Sequence, residues 1–176
     1  MRPGEKGRRS GECRGYNVAT TRSSSRAGCG LATGALGMSD RERSRRFSIQ
    51  VGGRDCRFSS AHFTVFGDRR ELLHGHNYEV TLEVAGLLTE DGCVVDFAEA
   101  RAILSGICES LDHKTIVPTG QPSLAIEQQE GSVEVSFHGE TFRFPAKDIL
   151  LLAVSNATAE LFAEHICRSV AEALRA

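Results

Sequence analysis

Apolar and polar residues alternate over Phe47-Ser48-Ile49-Gln50-Val51, and again from Asn77 to Val84. In the second run Tyr78, Val80, Leu82 and Val84 share one side, and Asn77, Glu79, Thr81 and Glu83 share the other. A period of two predicts half-buried strands. Between the runs, Gly52-Gly53-Arg54-Asp55 reads as a turn, Cys56 to Thr64 as a further strand, and Phe66 to Leu73 as a loop broken at Gly67-Asp68. The period then lengthens. Phe97, Ala100, Ile103, Leu104, Ile107 and Leu111 recur at helical spacing behind Asp96 and Glu99, a capping-box-like start. Alternation returns over 124–144, with turns at Glu130-Gly131 and His138-Gly139, and predicts a hairpin or meander that Pro145 closes. The apolar run 149–154 reads as a short buried strand or a packed segment. Asn156 and Thr158 are candidate N-caps for a last helix that buries Leu161, Phe162, Ile166, Val170 and Leu174.

Strands surrounding two helices, without β-α-β alternation and without a glycine-rich phosphate loop, predict an α+β fold with a mainly antiparallel sheet. Residues 1–46 are rich in Arg, Ser and Gly and poor in large apolar side chains, so they cannot offset their own ordering entropy. They read as a disordered basic tail, as an organelle transit segment over residues 1–37, or as an extension ahead of a true start at Met38. The folded domain is expected over 47–176.

Charge sharpens that division. Residues 1–37 carry six Arg and one Lys against two Glu, a net of +5, which leaves −7 for the rest of a chain whose net charge is −2. A mildly acidic body argues against a nucleic-acid partner. The apolar run at 149–154 falls far short of the ~18–20 residues that a membrane span needs. A cytoplasmic protein is therefore expected, or an organellar one if the start is a transit peptide. The six cysteines form no C-x-x-C pair and no zinc-finger spacing, so free thiols are expected.

Histidine carries the candidate chemistry. His74-Gly75-His76 opens the clearest strand, and residues i and i+2 on a strand project from one face. His62 lies on the preceding strand, where an antiparallel pairing brings it beside them. Three neutral imidazoles with one position open suit a catalytic zinc. Surface histidines on a strand are the plainer reading of H-x-H alone. In Leu111-Asp112-His113-Lys114, just past the first helix, Asp112 can orient His113 as an acid–base group, or the pair can be a solvated helix end. His138 reads as a surface turn residue and His165 as a helix-face residue.

Five ordered segments resemble the 6-pyruvoyl-tetrahydropterin synthase family, which includes 6-carboxytetrahydropterin synthase. They are Phe58-Ser59-Ser60-Ala61-His62, His74-Gly75-His76-Asn77-Tyr78, Gly92-Cys93-Val94-Val95-Asp96-Phe97, Leu111-Asp112-His113-Lys114 and Asn156-Ala157-Thr158-Ala159-Glu160. The resemblance implies the tunnelling fold, an antiparallel four-stranded sheet with two helices on one face, assembled as trimers or stacked-trimer hexamers with sites between subunits. It implies zinc on His62, His74 and His76, acid–base work by Asp112 and His113, and a pterin pocket lined by Thr158. It implies a zinc lyase acting on 7,8-dihydroneopterin triphosphate, with magnesium accompanying the triphosphate.

Two departures qualify the resemblance. The family's cysteine stands four or six residues before the H-x-H motif, where this chain has Arg70 and Asp68. Glu71 stands three residues before His74, resembling a subtype in which glutamate replaces the cysteine and 6-hydroxymethyl-7,8-dihydropterin forms along with some pyruvoyl product. A carboxylate there can take a side-chain proton if partial burial tunes its pKa; the plainer reading is a solvated loop carboxylate. Secondly, family members continue past the last helix into a strand whose glutamate anchors the pterin, whereas this sequence ends at Ala176. An unpaired sheet edge is expected from that, and an inactive zinc-binding paralogue stays open beside the two synthase branches.

Overall fold

The computed structural model describes residues 17–21 and 47–175. The strands in chain order are β1 (Asn17–Thr21), β2 (Phe47–His62), β3 (Val65–Phe66), β4 (Arg69–Arg70) and β5 (His74–Gly86). Helix α1 (Phe97–Leu111) follows, then β6 (Lys114–Pro118), β7 (Ala125–Gln129), β8 (Ser132–Phe137) and β9 (Glu140–Pro145). A short 3-10 turn at Ala146–Asp148 leads into β10 (Ile149–Leu152), and α2 (Ala159–Ala173) ends the described chain.

The main sheet has five strands in the order β1-β5-β2-β6-β10. The expected four-stranded antiparallel sheet is corrected here, because the sheet is mixed. β5 runs antiparallel to β1 and to β2, whereas β6 runs parallel to both β2 and β10. β6 lies parallel to β2 because α1 is a crossover that returns the chain beside β2 in the same direction, and the connection through the meander does the same for β10 beside β6. β6 carries no alternation, since Ile116, Val117 and Pro118 are all buried, and period-two reading passes over it. Asn17–Thr21 lies inside the segment expected to be a disordered tail, yet it pairs along β5 from Asn17 opposite Glu83 to Thr21 opposite Glu79. The rest of the tail expectation, over 1–16 and 22–46, lies outside the described residues.

A second correction concerns the turn expected at Gly52-Gly53-Arg54-Asp55. β2 runs straight through it as one strand of 16 residues, with a bulge that opposes Gly52 to Thr81 and Arg57 to Glu79. Gly53 sits at φ 147°, a backbone region that a side chain disfavours, so the glycine absorbs the kink. Asp55 inside the bulge grips Arg101 of α1 through two hydrogen bonds of 3.1 and 2.7 Å. The expected loop at 66–73 contains the small β3–β4 hairpin, turned at Gly67 with φ 62°.

Both helices lie against the same face of the sheet. Val80, Leu82 and Val84 of β5, with Val51 and Phe58 of β2, meet Ala100, Leu104 and Cys108 of α1 and Phe162, Ile166 and Val170 of α2. Each large side chain removed from water here contributes about 2 kcal/mol. Asp96 caps α1 by accepting from the amides of Ala98 and Glu99, and Thr158 caps α2 by accepting from Leu161. The β7-β8-β9 meander forms as expected and has a core of its own, in which Val133, Val135 and Phe137 meet Phe63, Val117 and Ile149. Among the described residues no helix is long and apolar enough to cross a membrane. Cys56, Cys93, Cys108 and Cys167 are free thiols, and burial pushes Cys108 up to about 12, which keeps it inert. Cys13 and Cys29 lie outside the described residues.

Candidate metal centre

The β2–β5 pairing sets His62 directly opposite His74 and Ser60 opposite His76. Pleat alternation then turns His62, His74 and His76 to the helix side of the sheet. Their ligand atoms lie within 4.8 Å of one another, the one such group among the described residues. The ring centroids of His62 lie 4.8 Å from those of His74 and 5.3 Å from those of His76.

The surroundings suit a metal. His62 Nδ1 lies 2.8 Å from the Ala157 carbonyl, and His74 Nδ1 lies 2.7 Å from the Leu72 carbonyl. A carbonyl only accepts, so each Nδ1 must carry the proton and each Nε2 keeps its lone pair. A backbone carbonyl that fixes the tautomer in this way is the usual support of a metal-binding histidine. His62 is 3% exposed and packs edge-on against Phe162 of α2. Its burial, helped by the neighbouring His74, lowers its pKa to about 4, which holds the ring in the neutral, metal-binding form. The Tyr78 hydroxyl lies 3.0 Å from His62 Nε2 and hydrogen-bonds the lone pair that a metal would take. His62 and His74, each with Nε2 left open by a supported tautomer, and His76 beside them therefore fit a zinc ion with one open position.

Glu71 stands at the edge of this cluster. Its carboxylate lies 4.0 Å from His74 Nε2, and its amide donates to the Thr64 carbonyl at 2.9 Å. A hydrogen bond from the Thr64 hydroxyl, opposed by partial burial and aided by the Thr64 amide and His74, holds the carboxyl below its ordinary range. Glu71 is thus already in its base form at neutral pH. This differs from a carboxylate raised by burial, because the Thr64 donor outweighs desolvation.

Asp112 and His113 are placed elsewhere. The end of α1 is stitched to β2, as the Ser59 amide donates to Asp112 Oδ1 at 2.6 Å and the His113 amide donates to the Ser59 carbonyl at 2.8 Å. The Ser60 hydroxyl bonds the Leu111 carbonyl beside them. His113 takes φ 55° to turn the chain into β6, and its Nδ1 lies 2.6 Å from Asp112 Oδ2. The Ser59 amide, with His113, lowers the Asp112 pKa. His113 is 84% exposed and lines an open groove of roughly 410 Å³ with Ser59, Ser60, Gly75, His76, Asn77 and Lys114, among others. Gly75 and Asn77 alternate with His74 and His76 along β5, so the groove lies largely across the sheet from the histidine cluster, with Ser60 and His76 at its border.

Thr158 caps α2 next to Ala157, whose carbonyl supports His62. With its oxygen accepting from Leu161, the Thr158 hydroxyl proton remains free to donate. Asn156, the other candidate cap, instead clamps Val65 through its amide and carbonyl. His138 occupies a meander turn at φ 47°, and His165 is half-buried on α2, so neither joins the cluster. Arg70 is the residue that sequence reading passed over; its guanidinium reaches Glu140 of β9.

The chain matches a family model described as 6-pyruvoyl tetrahydropterin synthase over residues 53–176. A Methanocaldococcus jannaschii protein named as a 6-carboxy-5,6,7,8-tetrahydropterin synthase is 30% identical over 120 residues, covering 68% of this chain and 74% of that protein. A Pyrococcus abyssi protein of the same name is 31% identical over 117 residues, covering 65% of this chain and 69% of its own length. The solved 6-pyruvoyl tetrahydropterin synthase of Plasmodium falciparum superposes with a TM-score of 0.69 at 28% identity, covering 73% of this chain and 80% of that one.

Proposed function

This chain belongs to the 6-pyruvoyl tetrahydropterin synthase family of pterin biosynthesis, and on that premise we propose that it is a zinc-dependent carbon–oxygen lyase. Its substrate is 7,8-dihydroneopterin triphosphate. The product is 6-pyruvoyl-tetrahydropterin with release of triphosphate, 6-hydroxymethyl-7,8-dihydropterin, or both. The observation that carries the reading is the convergence of His62, His74 and His76, with tautomers supported by the Ala157 and Leu72 carbonyls, beside the carboxylate of Glu71.

A zinc held there supplies Lewis-acid polarisation of the substrate's side-chain oxygen. Glu71, ionised at neutral pH, accepts the proton from the substrate side chain. Asp112 fixes His113 with Nδ1 as donor, leaving Nε2 to take or return a proton at a side-chain hydroxyl. The Thr158 hydroxyl donates to the pterin ring. Magnesium accompanies the triphosphate. A structure of Plasmodium vivax 6-pyruvoyltetrahydropterin synthase is described as a glutamate-to-alanine mutant of a catalytic residue, and another as its glutamate-to-cysteine mutant. This supports a glutamate in the base role where Arg70 takes the cysteine's place.

The Asp112–His113 pair does not join the histidine cluster directly, and its imidazole is 84% exposed in a groove that His76 only borders. Assembly as a trimer or hexamer, with Asp112 and His113 of one copy serving the metal centre of the next, unites them. Incubating the protein with dihydroneopterin triphosphate, zinc and magnesium, and identifying pterins by chromatography and mass, tests the activity. Pyruvoyl or hydroxymethyl pterin supports it; no product from a folded, zinc-loaded sample overturns it. The second reading, a 6-carboxytetrahydropterin synthase, is favoured by the names of the archaeal relatives and gives a carboxy product in the same assay.

A further inference from the structure

The loop that presents Glu71 has little packing of its own. Leu72, the next residue, is 81% exposed, and β3 and β4 are two residues each. Such a loop is expected to wander unless something outside it holds it. The structure shows what does. The Arg70 side chain, only 14% exposed, donates from Nη1 to the Glu71 carbonyl at 2.9 Å. Its Nε donates to Glu140 Oε2 at 2.7 Å, and Nη2 pairs with the same carboxylate. The guanidinium lies 4.5 Å from the Phe142 ring centroid and 5.7 Å from that of Phe63. Phe63 and Phe142 stack on each other at 5.5 Å.

These contacts reach across 70 residues of sequence. Glu140 and Phe142 belong to β9 of the meander, whose core also takes in Phe63 and Val117. A planar fork can hold a carboxylate, a carbonyl and a ring face at once, which a lysine ammonium cannot. We propose that Arg70 is a positioning residue for Glu71, and that the β7-β8-β9 meander is the platform from which it holds the base against the metal centre. The proposal rests on the base role given to Glu71 above. It assigns the meander a part in catalysis without contact with substrate. A displacement of about 1 Å at a reacting group costs on the order of 100-fold in rate, so a tether of this kind shows in kcat.

The test uses the full-length zinc-loaded protein and four variants: Arg70→Met, Arg70→Lys, Glu140→Ala and Glu140→Gln. Four quantities are read: kcat, KM, zinc per chain, and hydrogen exchange of the Glu71 amide. Glu140 is 61% exposed, so changing it leaves the core intact. Arg70→Met is expected to lower kcat about 10- to 100-fold with KM within about threefold and zinc unchanged. Arg70→Lys does not rescue it. Glu140→Ala lowers kcat about tenfold, and Glu140→Gln, which keeps an acceptor for Nε, restores most of the loss. The Glu71 amide exchanges faster in Arg70→Met and Glu140→Ala, while amides of α1 and α2 keep their protection.

Unchanged kcat in Arg70→Met and Glu140→Ala overturns the proposal, as does unchanged exchange at Glu71. So does loss of zinc together with faster exchange throughout, which marks a merely structural role. If the wild-type protein turns over no pterin while the variants still loosen Glu71, the tether stands and the lyase reading fails.

Discussion

The two clusters of titratable side chains, the three histidines and the Asp112–His113 pair, are built in opposite ways. On the helix face, His62 is 3% exposed, its Nδ1 is held by the Ala157 carbonyl, and Phe162 closes over it. The cost of bringing three imidazoles together is met by strand pairing within one chain. At the end of α1, the backbone of Asp112 and His113 is fixed with equal care by Ser59, yet the imidazole is 84% exposed. A metal centre needs converging lone pairs, which one sheet provides. An acid–base pair also needs to be shut away from water, which this chain alone does not do for His113. Under the proposed function, the first cluster is complete within one chain and the second needs a further surface to cover it.

The largest effect should come from breaking the completed half. His74→Ala is expected to remove most of about one zinc per chain and to lower turnover by at least about 10³-fold. Metal analysis showing full zinc would displace the cluster as the binding site. Next, Glu71→Ala is expected to lower kcat by about 10²- to 10⁴-fold while zinc content stays whole. Unchanged kcat would return Glu71 to a solvated loop carboxylate.

Asp112→Asn addresses the other cluster. It keeps the size of the side chain but removes the charge that orients His113, and should lower kcat about 100-fold with zinc affinity untouched. A parallel loss of zinc affinity would mean that the two clusters are not separate. The smallest effect is one of stability. His62 has a folded pKa of about 4 against an ordinary 6.5, so the unfolded chain binds its proton more tightly. In metal-free protein the stability linked to His62 is therefore complete above pH 6.5 and lost as the pH falls towards 4, a change of about 3 kcal/mol. Denaturant melts across that window check it, and a flat profile would show that His62 is not buried neutral.

The histidine cluster was legible in the sequence because strand geometry is local. The i, i+2 spacing of His74 and His76 fixes their shared face, and a short loop back to His62 leaves little freedom in register. The helix caps at Asp96 and Thr158 were legible for the same reason, since each acts within three residues of itself. What stayed hidden depends on distant partners. β6 lacks alternation because its last three residues are all buried, and its direction is set by α1 and by the bond from His113 to Ser59. The bulge in β2 reads as a turn until Arg101 is seen to grip Asp55. Arg70 looks like one more surface cation until Glu140 and Phe142 arrive from the meander. The strand at Asn17–Thr21 lies in a stretch whose composition alone argues against order, and it owes its form to the edge of β5.

The central claim is that a complete site joins the histidine cluster of one copy to the Asp112–His113 pair of another. Mixing two inactive proteins tests it most directly. His74→Ala lacks the metal centre and His113→Ala lacks the acid–base group, and each is assayed alone and after unfolding and refolding together. Activity in the mixture that neither variant has alone is the expected result. No recovery, from a mixture shown by mass to contain mixed oligomers, would contradict the account and place both halves of the chemistry within a single chain.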